Sequence, residues 1–204
     1  MVSLSKVIVM MIVLSLSLNA FNNKKYDING LYLGQKTEDV EKIIKSEFKK
    51  VKFIKEVVNF YNGKKYEKIV MGKKIEGYRG KKYYRIYIDS KDFVYFISKD
   101  YYFSTEPVTD ILIKQLKDKY GKPVEEQDYN GIFFLCYGSC DTKKNDLGSS
   151  LKIKYRYGSM YFELYNRTMY KENQERIYKL QEESDRLLKI EKNTNSKKAS
   201  VLDL

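Results

Sequence analysis

Carboxylates stand close together at Asp89/Asp92, at Glu125/Glu126/Asp128 and at Asp141/Asp146. General acid–base catalysis needs this residue type in pairs. Each set falls in a turn-rich polar stretch, where acids ordinarily build turns and solvate loops. Asp141-Thr-Lys-Lys-Asn-Asp146 has the outline of a calcium loop, but two lysines sit inside it and no bidentate Glu follows at the required spacing. Histidine is absent from the chain, which removes His-dependent nucleophile triads and His-ligated metals. No glycine-rich phosphate loop follows a strand, and no serine occupies a nucleophile elbow. The pattern therefore assigns no catalytic residue, no metal and no cofactor. A secreted hydrolase working without His, through Asp/Glu and Tyr, remains an alternative only if Glu125, Glu126 or Asp128 converges on Asp89. Asn166-Arg-Thr168 is a glycosylation sequon, relevant to a eukaryotic source.

The charge is concentrated in one segment. The chain carries +12 overall, and residues 49–91 hold fourteen Lys and Arg against four acids. Tyrosines are interleaved with them, and lysines among aromatics can hold an anionic polymer while stacking on it. The contact residues this singles out are Lys64, Lys65, Lys68, Lys73, Lys74, Arg79, Lys81, Lys82 and Arg85. The competing reading is that these lysines solvate exposed strands and protect their edges from aggregation.

Residues 1–20 read as a secretory signal peptide: Lys6, a 12-residue apolar run from Val7 to Leu18, and small Ala20 at the cut. The run is too short to span a bilayer, which takes about 20 residues. The expected product is exported, periplasmic or secreted, cleaved after Ala20, with no transmembrane helix remaining. Export makes nucleic acid an unlikely partner and favours an anionic envelope component or an acidic protein surface. The only cysteines, Cys136 and Cys140, should form a disulfide in that compartment. Gly138-Ser139 supplies the turn that brings their Cα atoms within the ~7 Å limit for a bridge.

Periodicity then places the elements. Residues 21–30 read as a polar leader, followed by a helix capped by Thr37 with Val40, Ile43, Ile44 and Phe48 on its apolar face. From 51 to 103 the period becomes two, predicting three or four antiparallel strands with turns at Asn62-Gly63, Gly72, Gly77, Gly80 and 89–92. Tyr84, Ile86 and Ile88 share one face, as do Phe93, Tyr95 and Ile97. A helix over 106–120 takes Thr105 as cap and buries Val108, Ile111, Leu112, Leu116 and Tyr120, stopping at Gly121 before Pro123. Strands follow near 131–136, 151–157 and 160–165, the last two joined at Gly158-Ser159. A long helix over 169–192 carries the acid-first pairs Glu172/Arg176, Glu175/Lys179, Glu182/Arg186 and Asp185/Lys189 and lies across the sheet edge. Residues 193–204 form a disordered tail.

The fold class is α+β: two helix-then-meander repeats (28–103 and 104–168, within a domain over 21–168) forming one antiparallel sheet, with helices on one face and a long C-terminal helix. Gly34-Gln-Lys-Thr-Glu-Asp-Val40 resembles the G-x-T-x-x-x-V opening of small exported bacterial domains of the BamE/SmpA type. Leu116 to Pro123 resembles the helix exit of that group, whose tandem copies occur in β-lactamase-inhibitor-like proteins. The lipobox is missing here, and the Gly-Pro exit stands only in the second half. The resemblance implies a binding or scaffolding role and transfers no functional residue. The favoured function is a non-catalytic binding or envelope-interaction protein that meets an anionic partner through the basic sheet region. An inhibitor of a secreted enzyme is the other alternative, and it requires a concave, tyrosine-lined sheet face in place of a pocket.

Overall fold

The computed structural model describes residues 26–48, 50–129, 131–140 and 148–202, with side chains described to residue 195. The signal-like residues 1–20, Lys49, and the Asp141/Asp146 pair with its calcium-like loop lie outside the described residues. Helix α1 (Thr37–Glu47) is followed by β1 (Lys50–Tyr61), β2 (Tyr66–Arg79), β3 (Lys82–Asp89) and β4 (Val94–Tyr102). After α2 (Thr109–Tyr120) come β5 (Glu125–Tyr129), β6 (Ile132–Gly138), β7 (Ser149–Arg156), β8 (Ser159–Asn166) and α3 (Arg167–Leu202). All eight strands form one antiparallel sheet in the order β1-β2-β3-β4-β8-β7-β6-β5. Two four-stranded meanders thus meet through their last strands.

One sheet face carries Ile75, Tyr84, Ile86, Ile88, Ile97, Leu135, Leu151, Ile153 and Leu164. These pack with Val40 and Ile44 of α1 and with Leu112, Ile113 and Leu116 of α2. Residues 26–36 are more than a polar leader: Tyr26, Ile28, Leu31 and Leu33 are buried in this same core. The Gly34 N–H donates to the Val94 carbonyl, and the Val94 N–H to that of Gln35. Apolar residues spaced among Asn, Lys and Gly do not read as helix or strand, so their burial escapes periodicity.

Thr37 is the first helical residue and not the cap. Its hydroxyl donates instead to Asp92 Oδ1 at 2.6 Å, tying α1 to the β3–β4 turn. Helix α2 begins at Thr109, so Thr105 and Pro107 belong to an extended approach. That approach is anchored where the Phe103 N–H meets the Gly158 carbonyl and the Tyr155 hydroxyl meets Glu106. With the later start, Ile113 takes the core position and Val108 and Ile111 face solvent. Gly121 ends the helix at φ +85°, as its sequence requires.

Gly72 and Gly77 are not turns; both lie inside β2. A Cβ on Gly72 would overlap the Ile88 carbonyl oxygen, and one on Gly77 would press on the Phe48 ring. Glycine here marks close approach of neighbouring groups, not chain reversal. The β7–β8 turn is Tyr157-Gly158, one residue earlier than the spacing suggests. Both residues have positive φ, as a two-residue hairpin turn of this hand demands.

Helix α3 starts at Arg167 and is continuous through residues 193–202, where composition suggests a tail. Asn166 caps it: its Oδ1 accepts the Met169 N–H at 3.0 Å, and the sequon asparagine is itself buried. The acid-first pairs are not the ion pairs formed. Glu172 pairs with Lys91 and Arg186 with Glu183, while Arg176 donates to Ser90. The helix packs along β1 and touches β3 and β4. Its Ser184 accepts the Tyr61 N–H at 2.9 Å, giving an edge-strand donor the partner it needs. Tyr170 meets Tyr95 on the face opposite α1 and α2, so α3 covers part of the second sheet face.

Candidate functional site: the second face of the sheet

The second face is built by the residues that alternate with the core. Their register places three rows across the strands. One reads Lys52–Glu76–Arg85–Ser98–Glu163–Lys152–Cys136–Glu125. Its charges alternate in sign, and opposite charges on facing strands attract. Arg85 lies 3.6 Å from Asp100 and Lys152 3.9 Å from Glu163, while Lys74 pairs with Glu76 at 2.6 Å. The hydrogen bond with Glu76 raises the Lys74 pKa, and that with Lys74 lowers the Glu76 pKa. A second row reads Lys50–Tyr78–Tyr83–Asp100–Tyr161–Lys154–Phe134–Gln127. Tyr78 and Tyr83 stack at 4.5 Å, and the Arg85 guanidinium lies 5.4 Å from the Tyr83 ring. Tyr78 and Tyr102 are about half exposed, at 47% and 53%.

The third row contains Tyr87, Phe96 and Tyr165. Strict alternation places Tyr95 on the core face with Ile97; the structure moves it to this one. Tyr87 pairs with Phe96 and Ile88 with Val94, so β4 carries one extra residue, Tyr95. Val94 and Ile97 both stay in the core, and the Tyr95 ring turns toward Tyr87. A bulge of this kind re-aims one side chain without disturbing its neighbours. With Glu163 and Tyr170, these rings line an open cleft of about 370 Å³.

The nine basic residues singled out in the sequence do not share one surface. Lys64, Lys65 and Lys68 sit at the far end of the β1–β2 hairpin. Lys73, Arg79 and Lys82 lie on the helix-covered side: Lys73 pairs with Asp92 at 3.0 Å, Arg79 donates to the Glu47 carbonyl, and Lys82 lies over the Tyr101 ring. Lys81 reaches Ser104 from the β2–β3 turn. Only Lys74 and Arg85 face the open side, and both are paired with acids. Strand alternation sends neighbouring lysines to opposite faces, so a run of positive charge along the chain becomes dispersed in space.

The carboxylates are dispersed as well. Asp89 accepts the Lys91 and Phe93 N–H groups, shaping its turn. Glu125, Glu126 and Asp128 form edge strand β5, where Glu126 binds Lys117 at 2.7 Å. Strand β5 is five strand positions from β3, roughly 24 Å at ~4.8 Å per strand. The convergence that a His-independent hydrolase requires is not formed. No cluster of three metal-ligating side chains occurs among the described residues.

Cys136 and Cys140 form a disulfide with Cα atoms 6.0 Å apart. Gly138, at φ +79°, makes the turn between them, and a Cβ there would overlap the Ser149 carbonyl oxygen. Periodicity could not have found the candidate cleft, because its Tyr95 is displaced by a bulge and its Tyr170 comes from α3. The abundance of tyrosine was the only signal in the sequence. No family model, curated protein sequence or solved structure matches the chain.

Proposed function

We propose that the chain is an exported, non-catalytic binding protein that docks a protein partner of acidic surface on the second face of its sheet. The observation that carries this reading is the composition of that face, where tyrosines and an arginine stand among ion pairs that are already satisfied. Tyrosine and arginine are the residues that protein interfaces favour, because each buries a large area with little flexibility. Eight strands span roughly 34 Å at ~4.8 Å spacing, and the rows from Tyr102 to Tyr165 span about 20 Å. The resulting ~700 Å² is of the order of the ~800 Å² that one partner contributes to a standard interface. Positive charge that is not paired lies at the rim: Lys50, Lys64 and Lys68 are exposed and make no ion pair among the described residues. Rim charge of this kind steers an acidic partner more than it holds it. The disulfide is of a type kept in oxidising compartments, and no described helix is long and apolar enough to cross a membrane.

The tandem helix-then-meander order is consistent with two joined repeats, and the resemblance to small exported binding domains points the same way. An inhibitor of a secreted enzyme would use the same surface with an enzyme as the partner, and the tyrosine-lined face favours that second reading.

The test is radical footprinting of the protein alone and in the presence of an envelope or secretome fraction, together with capture by Tyr83→Ala/Tyr161→Ala. Protection of Tyr78, Tyr83, Tyr102 and Tyr161, with loss of the captured partner in the folded double variant, supports the reading. A partner that is retained equally by the double variant overturns it.

A further inference from the structure

The open cleft on the second face is ringed by a continuous circuit of aromatic side chains. Tyr87 lies 6.1 Å from Tyr95, Tyr95 6.1 Å from Tyr170, and Tyr170 5.7 Å from Tyr165. Tyr165 lies 5.9 Å from Phe96, and Phe96 returns to Tyr87 at 5.2 Å. Four elements build this circuit: β3 supplies Tyr87, β4 and its bulge supply Phe96 and Tyr95, β8 supplies Tyr165, and α3 supplies Tyr170. Glu163 completes the lining.

We propose that this cleft holds the ammonium end of a lysine side chain presented by the protein partner. The inference rests on the docking face described above and names the anchor that the face receives. Aromatic faces attract a cation within ~6 Å of their centroids, more strongly where water is excluded. Burial raises the Tyr95 phenol pKa and pushes that of Tyr165 up to about 12. Those two phenols therefore stay neutral in the cleft.

Glu163 and Glu56, set against the Arg167 charge that also acts on Tyr165, favour a cation over an apolar group. Glu163 lines the cleft, and the half-buried Glu56 acts on Tyr95, its own pKa raised by burial and only partly lowered by Lys74. An apolar occupant would remove water from Glu163 and leave that carboxylate less well compensated. One cation already uses a ring of this circuit: Lys74 Nζ lies 5.5 Å from the Tyr87 centroid, its charge balanced by Glu76 at 2.6 Å.

A compact ammonium fits better than a guanidinium. Arginine gains most from a bidentate carboxylate. Here Glu163 Oε2 already accepts the Tyr161 hydroxyl at 3.0 Å, and Oε1 faces Lys152. Glu163 therefore acts on the occupant as a nearby charge, and the rings provide the contact.

The experiment is a titration of the full protein, carrying ¹³C-labelled tyrosine, with Nα-acetyl-lysine methylamide. Parallel titrations use its norleucine and arginine counterparts and tetramethylammonium chloride. The lysine derivative should shift the Tyr87, Tyr95, Tyr165 and Tyr170 ring signals with millimolar affinity, and the norleucine derivative should bind at least tenfold more weakly. Glu163→Gln should weaken the lysine derivative about threefold, and Tyr170→Ala about tenfold. Tyr170 is 39% exposed, so that variant should fold, and Tyr87→Leu gives a second reading of the ring contribution. Equal binding of norleucine and lysine, preferred binding of the arginine derivative, binding of tetramethylammonium alone, or no shift with any probe overturns the proposal. Partner capture that no longer depends on Tyr83 and Tyr161, with lysine binding intact, would instead refute the docking face.

Discussion

Lys99 is the sharpest test of the core. It lies on the helix-covered face of central strand β4, only 9% exposed, with no carboxylate paired to it among the described residues. Its ammonium donates to Asn29 Oδ1 at 3.0 Å and lies 5.4, 5.9 and 5.5 Å from the rings of Tyr84, Tyr101 and Phe162. Burial, with Lys82 nearby, brings its pKa down to about 8 from an ordinary 10.5. A folded pKa below the unfolded one means that the unfolded chain binds the proton more tightly. The charged amine therefore costs stability below pH 8, and that cost is relieved as pH rises from about 8 toward 10.5. At ~1.4 kcal/mol per pH unit, the full cost is about 3 kcal/mol, of which about 2 kcal/mol should be recovered between pH 7 and 9.5. Lys99→Met removes the charge and forfeits a hydrogen bond and ring contacts worth ~1–2 kcal/mol. The variant should be more stable than the parent by about 1–2 kcal/mol at pH 7, and that advantage should vanish by pH 9.5. Urea unfolding of both proteins, followed by circular dichroism across this range, measures the difference; tyrosine ionisation affects both alike. A difference that does not change with pH would refute the reasoning.

Gly72→Ala should destabilise the protein by about 1–3 kcal/mol, because its Cβ meets backbone that cannot rotate away; Gly80→Ala, with nothing within 4 Å of its Cβ but a positive φ, should cost less, on the order of 1 kcal/mol, and thermal melts of the pair separate clash from dihedral strain. In the freshly purified protein, Cys136 and Cys140 should be unreactive to a thiol reagent under denaturing conditions until reduced. Reduction should then lower stability by only about 1–2 kcal/mol, because the closed loop is short; two free thiols before reduction would contradict the pairing.

Local rules account for much of the fold. The alternation of Tyr84, Ile86 and Ile88 with Tyr83, Arg85 and Tyr87 states which side of β3 is buried, because a strand has only two sides. Gly121 before Pro123 ends α2, and the Gly138 turn lets Cys140 return to Cys136, since these steps depend on one residue's backbone freedom. Edge strand β5 is not legible as a strand because it has no buried side: Glu125–Tyr129 is exposed throughout, so no apolar period exists to detect.

What the sequence alone determined is most of the elements, the separation of polar from apolar faces on the half-buried strands, the disulfide and the excess of positive charge. Tertiary structure decided which of those features meet. The β4 bulge carries Tyr95 across the sheet, and packing of α3 along β1 brings Tyr170 to it. Pleating divides the basic segment between two faces and a hairpin tip, and strand order holds Asp89 apart from Glu125. Periodicity describes each residue relative to its own strand or helix, whereas a site depends on contacts between elements. Those contacts follow from register, bulges and packing energies summed over the whole sheet.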